Sequence, residues 1–202
     1  MKTIAAAALT AALMLSTAGA QAPAEGTPMR LRGTIEKLEA DTLTVLTESD
    51  GAVDAQLAPN VGTNGLERRT AADIPDGGFI GTTAAMDEDG RWRALEVHIF
   101  PEEMRGAGEG HYPWDFPETT MTNATVTGAA TVGDGRRLSL THAGGEVEVD
   151  VVPETDIVML TFGDRSLLVP GAAVFVLGTL QTDGRFDAVA VVAETDGVKP
   201  PM

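Results

Sequence analysis

The sequence predicts an all-β protein built from two tandem copies of one small domain, and three observations support this. Apolar and polar residues alternate with a period of two over many short segments, as expected of strands that bury one face. Turn signals rich in glycine and aspartate separate these segments. Landmarks in residues 33–92 recur at matching spacings in residues 128–186, such as Asp89-Gly90-Arg91-Trp92 and Asp183-Gly184-Arg185-Phe186. A repeat of roughly 95 residues is too long for a solenoid unit and indicates a duplicated domain.

Residues 1–20 are predicted to be a signal peptide. Lys2 supplies a positive charge, residues 4–15 form an apolar run too short to span a bilayer, and Ala18-Gly19-Ala20 fits a cleavage site. We therefore expect an exported protein that begins at Gln21. It is expected to be periplasmic or secreted, with no membrane insertion after cleavage.

Each copy is expected to contain five strands, with a longer connection after the third. Residues 60–73 form this connection in the first copy, where the alternation breaks. This order suits a partly open five-stranded β-barrel of OB-like topology, and a β-sandwich formed by both copies is the alternative. The predicted strands are 31–35, 42–47, 53–57, 79–84 and 92–100, then 124–132, 137–141, 146–152, 173–181 and 186–193.

The predicted domain organisation is two tandem OB-like barrels joined by an irregular segment rich in glycine, proline and aromatic residues. That segment, residues 101–121, has no counterpart in either copy and is called the bridging segment below. The divisions are 21–29 as a disordered leader, 30–100 as barrel 1, 101–121 as the bridging segment, 122–194 as barrel 2 and 195–202 as a tail.

Short turn and strand motifs carry a resemblance to a known group of proteins. They are Gly33-Thr34-Ile35, Leu43-Thr44-Val45, Gly77-Gly78 and Asp89-Gly90 in the first copy, and Val126-Thr127-Gly128, Leu138-Ser139-Leu140, Gly171 and Asp183-Gly184 in the second. The pattern resembles exported bacterial domains of unknown function that have OB-like barrels. This resemblance covers both copies, leaves out the bridging segment, and implies a fold and a location in the cell envelope.

Composition excludes several classes of function. The formal net charge is −16, and an acidic chain repels the phosphates of nucleic acid and of anionic membrane surfaces. The sequence has no cysteine, so it has no disulfides, thiolate metal sites or thiol nucleophile.

A group of histidines, acids and aromatic residues in residues 96–118 is the candidate site. On the fifth strand, Leu95, Val97 and Ile99 are expected to face the core, so that Glu96 and His98 project together from the opposite face. Glycines in the bridging segment allow the chain to fold back toward them. Imidazole and carboxylate suit a divalent metal ion. The proposed metal ligands are Glu96, His98, Glu109, His111 and Asp115, with Tyr112 and Trp114 as shielding or ligand-contacting aromatics.

Three functional hypotheses follow from the sequence. The first is an exported, non-catalytic binding module that holds another envelope protein or a glycan. The second is a protein that binds a divalent metal ion or a small ligand through residues 96–118. A hydrolytic enzyme is the third, and the chain lacks the usual nucleophile and metalloprotease motifs.

Overall fold

The computed structural model describes residues 26–201, which form twelve β-strands and three short 3-10 turns and contain no α-helix. The all-β class is confirmed, and each of the ten predicted strands overlaps an observed one. The strands are β1 Thr27–Glu39, β2 Thr42–Thr47, β3 Gly51–Arg68, β4 Phe79–Met86, β5 Trp92–Ile99, β6 Gly110–Pro113, β7 Thr119–Val132, β8 Gly135–His142, β9 Gly145–Val151, β10 Asp156–Phe162, β11 Ala173–Leu180 and β12 Phe186–Ala193.

The signal peptide predicted for residues 1–20 lies outside the described residues. The last residues of the leader predicted at 21–29 are described, and they belong to a strand. β1 begins at Thr27 and pairs with β11 from that residue onward. Between residues 26 and 201 no helix is long and apolar enough to cross a bilayer.

All twelve strands belong to one continuous sheet, in which two sets of five strands close on themselves. In the first ring β12 pairs with both β11 and β3, so that β1, β2, β3, β12 and β11 form a closed circuit of hydrogen bonds. In the second ring β5 pairs with both β4 and β9, which closes β4, β5, β9, β8 and β7. β10 joins the rings by pairing with β3 and β5.

This pairing differs from two self-contained units at residues 30–100 and 122–194. Each ring takes three strands from one copy and two from the other, so the copies exchange their last two strands. A repeated sequence gives both copies the same strands and the same buried faces. Strands with the same alternation of apolar and polar residues can pair within a copy or between copies. The alternation is identical in the two cases and does not distinguish them.

The exchange gives the molecule an approximate two-fold relation. β3 and β10 pair antiparallel with Leu66 opposite Leu160, which occupy matching positions in the two copies. On one side of this contact, Gly62 of β3 pairs in parallel with Ala190 of β12. On the other side, the matching parallel pair is Asp156 of β10 with Glu96 of β5. β3 runs unbroken to Arg68 through the connection predicted at residues 60–73, because this stretch pairs with both β10 and β12.

Three groups of buried apolar side chains hold the fold together. One fills the first ring and includes Ile35, Val45 and Phe186, and a second fills the second ring. The third lies between the rings and consists of Leu66, Val158, Leu160, Phe175 and Val192. Phe100, Met104 and Trp114 pack against this third group, so the bridging segment closes the space between the rings.

Two matching β-bulges change which residues face the cores. Thr83 pairs with Glu96 and Ala84 with Ala94, which leaves Leu95 unpaired on β5 and 49% exposed. The same shift on β12 leaves Val189 unpaired and 62% exposed. The expectation that Leu95 faces the core is therefore wrong.

Downstream of the bulge, the alternation follows the prediction. Val97 and Ile99 lie in the core of the second ring. Glu96 and His98 lie on the other face of β5, which is covered by the first ring and the bridging segment and is therefore buried.

The pairing of Arg137 with Asp150 is expected to make the fold sensitive to acid. Two hydrogen bonds from the Arg137 guanidinium, of 2.6 and 2.8 Å, hold the pKa of the Asp150 carboxyl below its ordinary value of 3.8. The pKa is lower in the folded chain, so this carboxylate stabilises the fold above about pH 4, and the contribution is lost as pH falls through the lowered pKa. We expect urea unfolding at pH 3 to occur at lower urea than at pH 7. In Asp150→Asn this difference should shrink, and an unchanged difference would contradict the assignment.

Candidate ligand-binding cavity

A cavity of about 260 Å³ lies between the two rings, against the bridging segment. Most of its wall is apolar, and the larger apolar side chains are Phe100, Met104, Trp114, Met121, Leu160 and Phe175. His98, Asn123, Asn64, Tyr112 and Arg30 supply the polar part of the wall. A larger hollow of about 440 Å³ beside residues 85–95 lies at the surface and is lined mostly by charged side chains of a turn. The cavity between the rings is therefore the better ligand site.

Three neighbouring strands of the second ring position two polar residues of the cavity wall, His98 and Asn123. Gly81 on β4 lies opposite His98 on β5 and opposite Asn123 on β7. A Cβ atom at Gly81 would lie 1.9 Å from His98 Nε2 and 2.4 Å from Asn123 Oδ1. The glycine therefore leaves the space in which the imidazole and the amide meet.

The matching position in the other copy is filled differently. There Phe175 on β11 lies opposite Val192 on β12 and opposite Arg32 on β1. The Arg32 guanidinium lies over the Phe175 ring, 4.6 Å from its centroid. The two-fold relation is thus broken where the cavity lies: one copy presents a phenylalanine, and the other a glycine beside two polar side chains.

His98 is held in place by a buried carboxylate. Its Nδ1 lies 3.1 Å from Glu96 Oε2, and the two residues are only 4% and 2% exposed. The other oxygen of Glu96 accepts hydrogen bonds from the backbone N–H and the hydroxyl of Thr83, both at 2.8 Å. A carboxylate that faces Nδ1 favours the proton on that nitrogen, and Nε2 lies against Gly81 of the neighbouring strand.

The orientation of Asn123 is set by the bridging segment. Its Nδ2 donates to the carbonyl oxygens of Ala107 and Gly108, each at 3.2 Å. Because two carbonyls accept from the amide nitrogen, the amide oxygen must point the other way, toward Gly81. Asn123 is 7% exposed, and its Oδ1 accepts no hydrogen bond from the described residues.

The aromatic residues of the bridging segment form another part of the wall. Tyr112 and Trp114 lie with ring centroids 6.1 Å apart, and the Arg30 guanidinium stacks over Trp114 at 3.8 Å. Burial raises the pKa of the Tyr112 hydroxyl, which donates to the Gly108 carbonyl at 3.3 Å. The indole N–H of Trp114 is buried and makes no hydrogen bond within residues 26–201. Both aromatics predicted to contact a ligand therefore line the cavity.

The five predicted metal ligands do not come together. Asp115 binds Arg30 and Arg32, while Glu109 accepts a hydrogen bond from the Ala143 backbone N–H at 2.9 Å. In the part of the chain that the structure describes, no group of three or more histidines and acids could hold a metal ion. Of the predicted set, only Glu96 and His98 are joined by a hydrogen bond. β6 pairs along β7, which holds His111 beside Thr122.

The fifth of these residues, His111, lies in a different environment. Its Nδ1 is 2.8 Å from the hydroxyl of Thr122, and its ring packs edge-on against Trp92. Burial, together with the nearby charge of His142, lowers the pKa of His111. The ring is thus part of a packed surface.

A scan of protein-family models and searches of curated proteins and solved structures found no match to this chain. The resemblance to exported OB-like domains therefore stays a prediction, and function is argued from the cavity.

The sequence interpretation missed Asn123 and Gly81, although a signal for Gly81 was present. A residue-by-residue comparison of the copies places Gly81 at the position of Phe175, and such a loss of a large buried side chain indicates a cavity or a ligand. Asn123 gives no comparable signal, because its role depends on carbonyl groups of the bridging segment.

Proposed function

We propose that this protein binds a small, largely apolar molecule in the cavity between its rings. The observation that supports this most directly is the cavity itself, a space of about 260 Å³ whose wall is mostly apolar and includes a few polar side chains. Ligand sites of proteins have this composition, with apolar walls that supply affinity and a few polar groups that orient the ligand.

Comparison of the two copies indicates that the polar residues are not needed for the fold. At the positions of Glu96 and His98, the other copy has Ala190 and Val192, and its ring closes equally well. Burying a carboxylate and an imidazole is unfavourable compared with burying apolar side chains. A requirement in addition to folding, here the recognition of a ligand, explains their presence.

The size of the cavity limits the ligand. An apolar cavity of about 150 Å³ accommodates benzene, so about 260 Å³ suits a molecule of about ten non-hydrogen atoms. The binding module for an envelope protein or a glycan stays a prediction, since no described contact favours it.

We also propose that each ring is an OB-like five-stranded barrel, assembled from strands of both copies. Closed pairing and one apolar core per ring support this reading. An experimental structure in which β12 does not pair with β3, or β5 does not pair with β9, would contradict it.

We expect wild-type protein to bind acetophenone, a neutral aromatic molecule of suitable size, with a Kd below about 1 mM (about −4 kcal/mol) by isothermal titration calorimetry. The variant Ala190→Phe should lose this binding, because Ala190 lines the cavity and the added ring would fill it.

The neighbouring substitution Val189→Phe is the matched control. Val189 is on the bulge and faces solvent, so the same side chain placed there should leave the Kd unchanged. Equal binding by wild type and Ala190→Phe, or no binding to wild type below about 1 mM, would sink the proposal.

A further inference from the structure

We propose that the edge of β1 binds an extended, basic segment of a partner protein, which adds to the sheet as one more strand. The site is the stretch of residues 29–32, and it does not depend on a ligand in the cavity between the rings. In the second copy the matching stretch, residues 120–123 of β7, has a strand on both sides. Among the described residues, the stretch 29–32 has a strand on one side only, β11.

Backbone hydrogen bonds show that the two stretches match. Ile35 exchanges two backbone hydrogen bonds with residues 171 and 172, just before β11. Val126 makes the same two bonds with residues 77 and 78, just before β4. Counting back from Ile35 and Val126 places residues 29–32 at the positions of residues 120–123, along which β6 pairs. The bridging segment thus supplies the second copy with a strand that has no counterpart in the described part of the first.

The backbone groups of Arg30 and Arg32 point to the open side of β1. Ile35 directs its N–H and C=O toward the β11 side, and successive residues of a strand direct these groups to opposite sides. The register between β1 and β11 has no bulge from Thr27 to Thr34, so Arg30 and Arg32 turn away from β11. Within residues 26–201 no backbone hydrogen bond reaches these groups. Such an open row of donors and acceptors is a template for pairing with another chain.

Space for an added strand lies beside these groups. A hollow of about 460 Å³ is lined by residues 30–33, by residues 47–50 of the turn after β2, and by Phe116. In the second copy the corresponding turn contacts the bridging segment, because the Ala143 N–H donates to Glu109. In the first copy the turn faces the hollow instead. Phe116 is 57% exposed and offers an apolar surface to a side chain of the added strand.

The charges at the hollow favour a basic segment. Arg30 and Arg32 both bind Asp115, and the Nε atoms of both arginines are buried. The exposed charges of the turn are the carboxylates of Glu48 and Asp50. Lysine or arginine side chains on the added strand complement these carboxylates, and the net charge of −16 attracts a basic partner from a longer distance.

A seven-residue peptide in which lysine and valine alternate is the probe for this site, since valine favours an extended backbone and lysine supplies the charge. We expect the protein to bind it with a Kd below about 1 mM in calorimetry. The same peptide with a methyl group on every backbone nitrogen keeps its charge but has no backbone N–H donor, so it should not bind. Equal binding of the two peptides, or no binding of the first, would overturn the inference.

Amide hydrogen exchange locates the added strand. Binding of the peptide should slow exchange of the N–H groups of Arg30 and Arg32 and leave that of Leu31 unchanged, because the Leu31 N–H already faces β11. Slowed exchange at His111 on β6 instead would place the peptide on a different edge and overturn the inference. Protection of the Arg30 and Arg32 N–H groups in the free protein would also overturn it, because the edge would already be filled.

The double variant Glu48→Lys/Asp50→Lys tests the charge of the partner. We expect it to bind the peptide about tenfold more weakly, because two attractive contacts become repulsive. Glu88→Lys/Asp89→Lys is the matched control, since it makes the same change of net charge in another exposed turn. It should bind as wild type does. A loss of the same size in both variants would attribute binding to net charge alone and overturn the site.

Discussion

Gly81→Ala is expected to lower the free energy of unfolding by about 2 kcal/mol, although alanine is normally the better residue in a strand. The new Cβ would lie 1.9 Å from His98 Nε2 and 2.4 Å from Asn123 Oδ1, so both buried side chains would have to move. Overpacking of this kind costs about 1–3 kcal/mol, which exceeds the roughly 0.4–1 kcal/mol that alanine gains over glycine in backbone entropy. Urea unfolding followed by tryptophan fluorescence measures the change.

Gly62→Ala is the matched control for this substitution. Gly62 also lies within a strand, its backbone does not have positive φ, and a Cβ there would meet no atom within 4 Å. We expect Gly62→Ala to leave stability unchanged or to raise it slightly. If Gly81→Ala proves as stable as Gly62→Ala, the account of the packing of His98 and Asn123 against Gly81 is wrong.

Glu96→Leu is expected to cost more, about 3 kcal/mol of the free energy of unfolding. The carboxylate accepts hydrogen bonds from the Thr83 backbone N–H, the Thr83 hydroxyl and His98 Nδ1, and leucine would leave all three buried groups unpaired. Breaking a buried charged pair from one side typically costs 3–5 kcal/mol. Chemical denaturation of wild type and variant at pH 7 gives the difference.

The graded variant Glu96→Gln separates the hydrogen bonds from the charge. Glutamine keeps one acceptor oxygen for Thr83 and loses the carboxylate next to His98, so we expect a smaller cost of about 1 kcal/mol. Glu88→Leu, in an exposed turn, should change stability by less than about 0.5 kcal/mol. A cost for Glu96→Leu no larger than that for Glu88→Leu would show that the buried network does not stabilise the fold.

The strands and turns could be predicted because they depend on local patterns. Period-two alternation located all ten strands that the copies share, and the turn at Asp87-Glu88-Asp89-Gly90 forms with Asp87 Oδ1 accepting from two backbone N–H groups. The same alternation correctly placed Glu96 and His98 on one face. It misplaced Leu95, because a bulge on β5 shifts the register there. No glycine or proline occurs within β5 to mark the bulge.

The partners of the strands and the path of the bridging segment could not be predicted. Pairing within a copy and pairing between copies bury the same side chains, so hydrophobic pattern does not distinguish them. The predicted metal ligands lie apart for a related reason: Glu109 and Asp115 have other partners, the Ala143 backbone and two arginines. The bridging segment pairs with β7, and its backbone carbonyls orient Asn123. Such backbone contacts leave no trace in residue type.

The exchange of strands also determines the order in which the fold can be completed when the chain becomes available from its N-terminal end. The strands of the second ring lie between Phe79 and Val151, whereas the first ring joins Thr27–Arg68 to the segment that ends at Ala193. A chain available as far as β9 therefore contains every strand of the second ring, while β1 and β3 still have unpaired edges. Closing the first ring brings together segments more than a hundred residues apart, and such distant contacts are slow to form because the loop entropy must be lost first. The cavity, which needs both rings, becomes complete only when the last strand is in place.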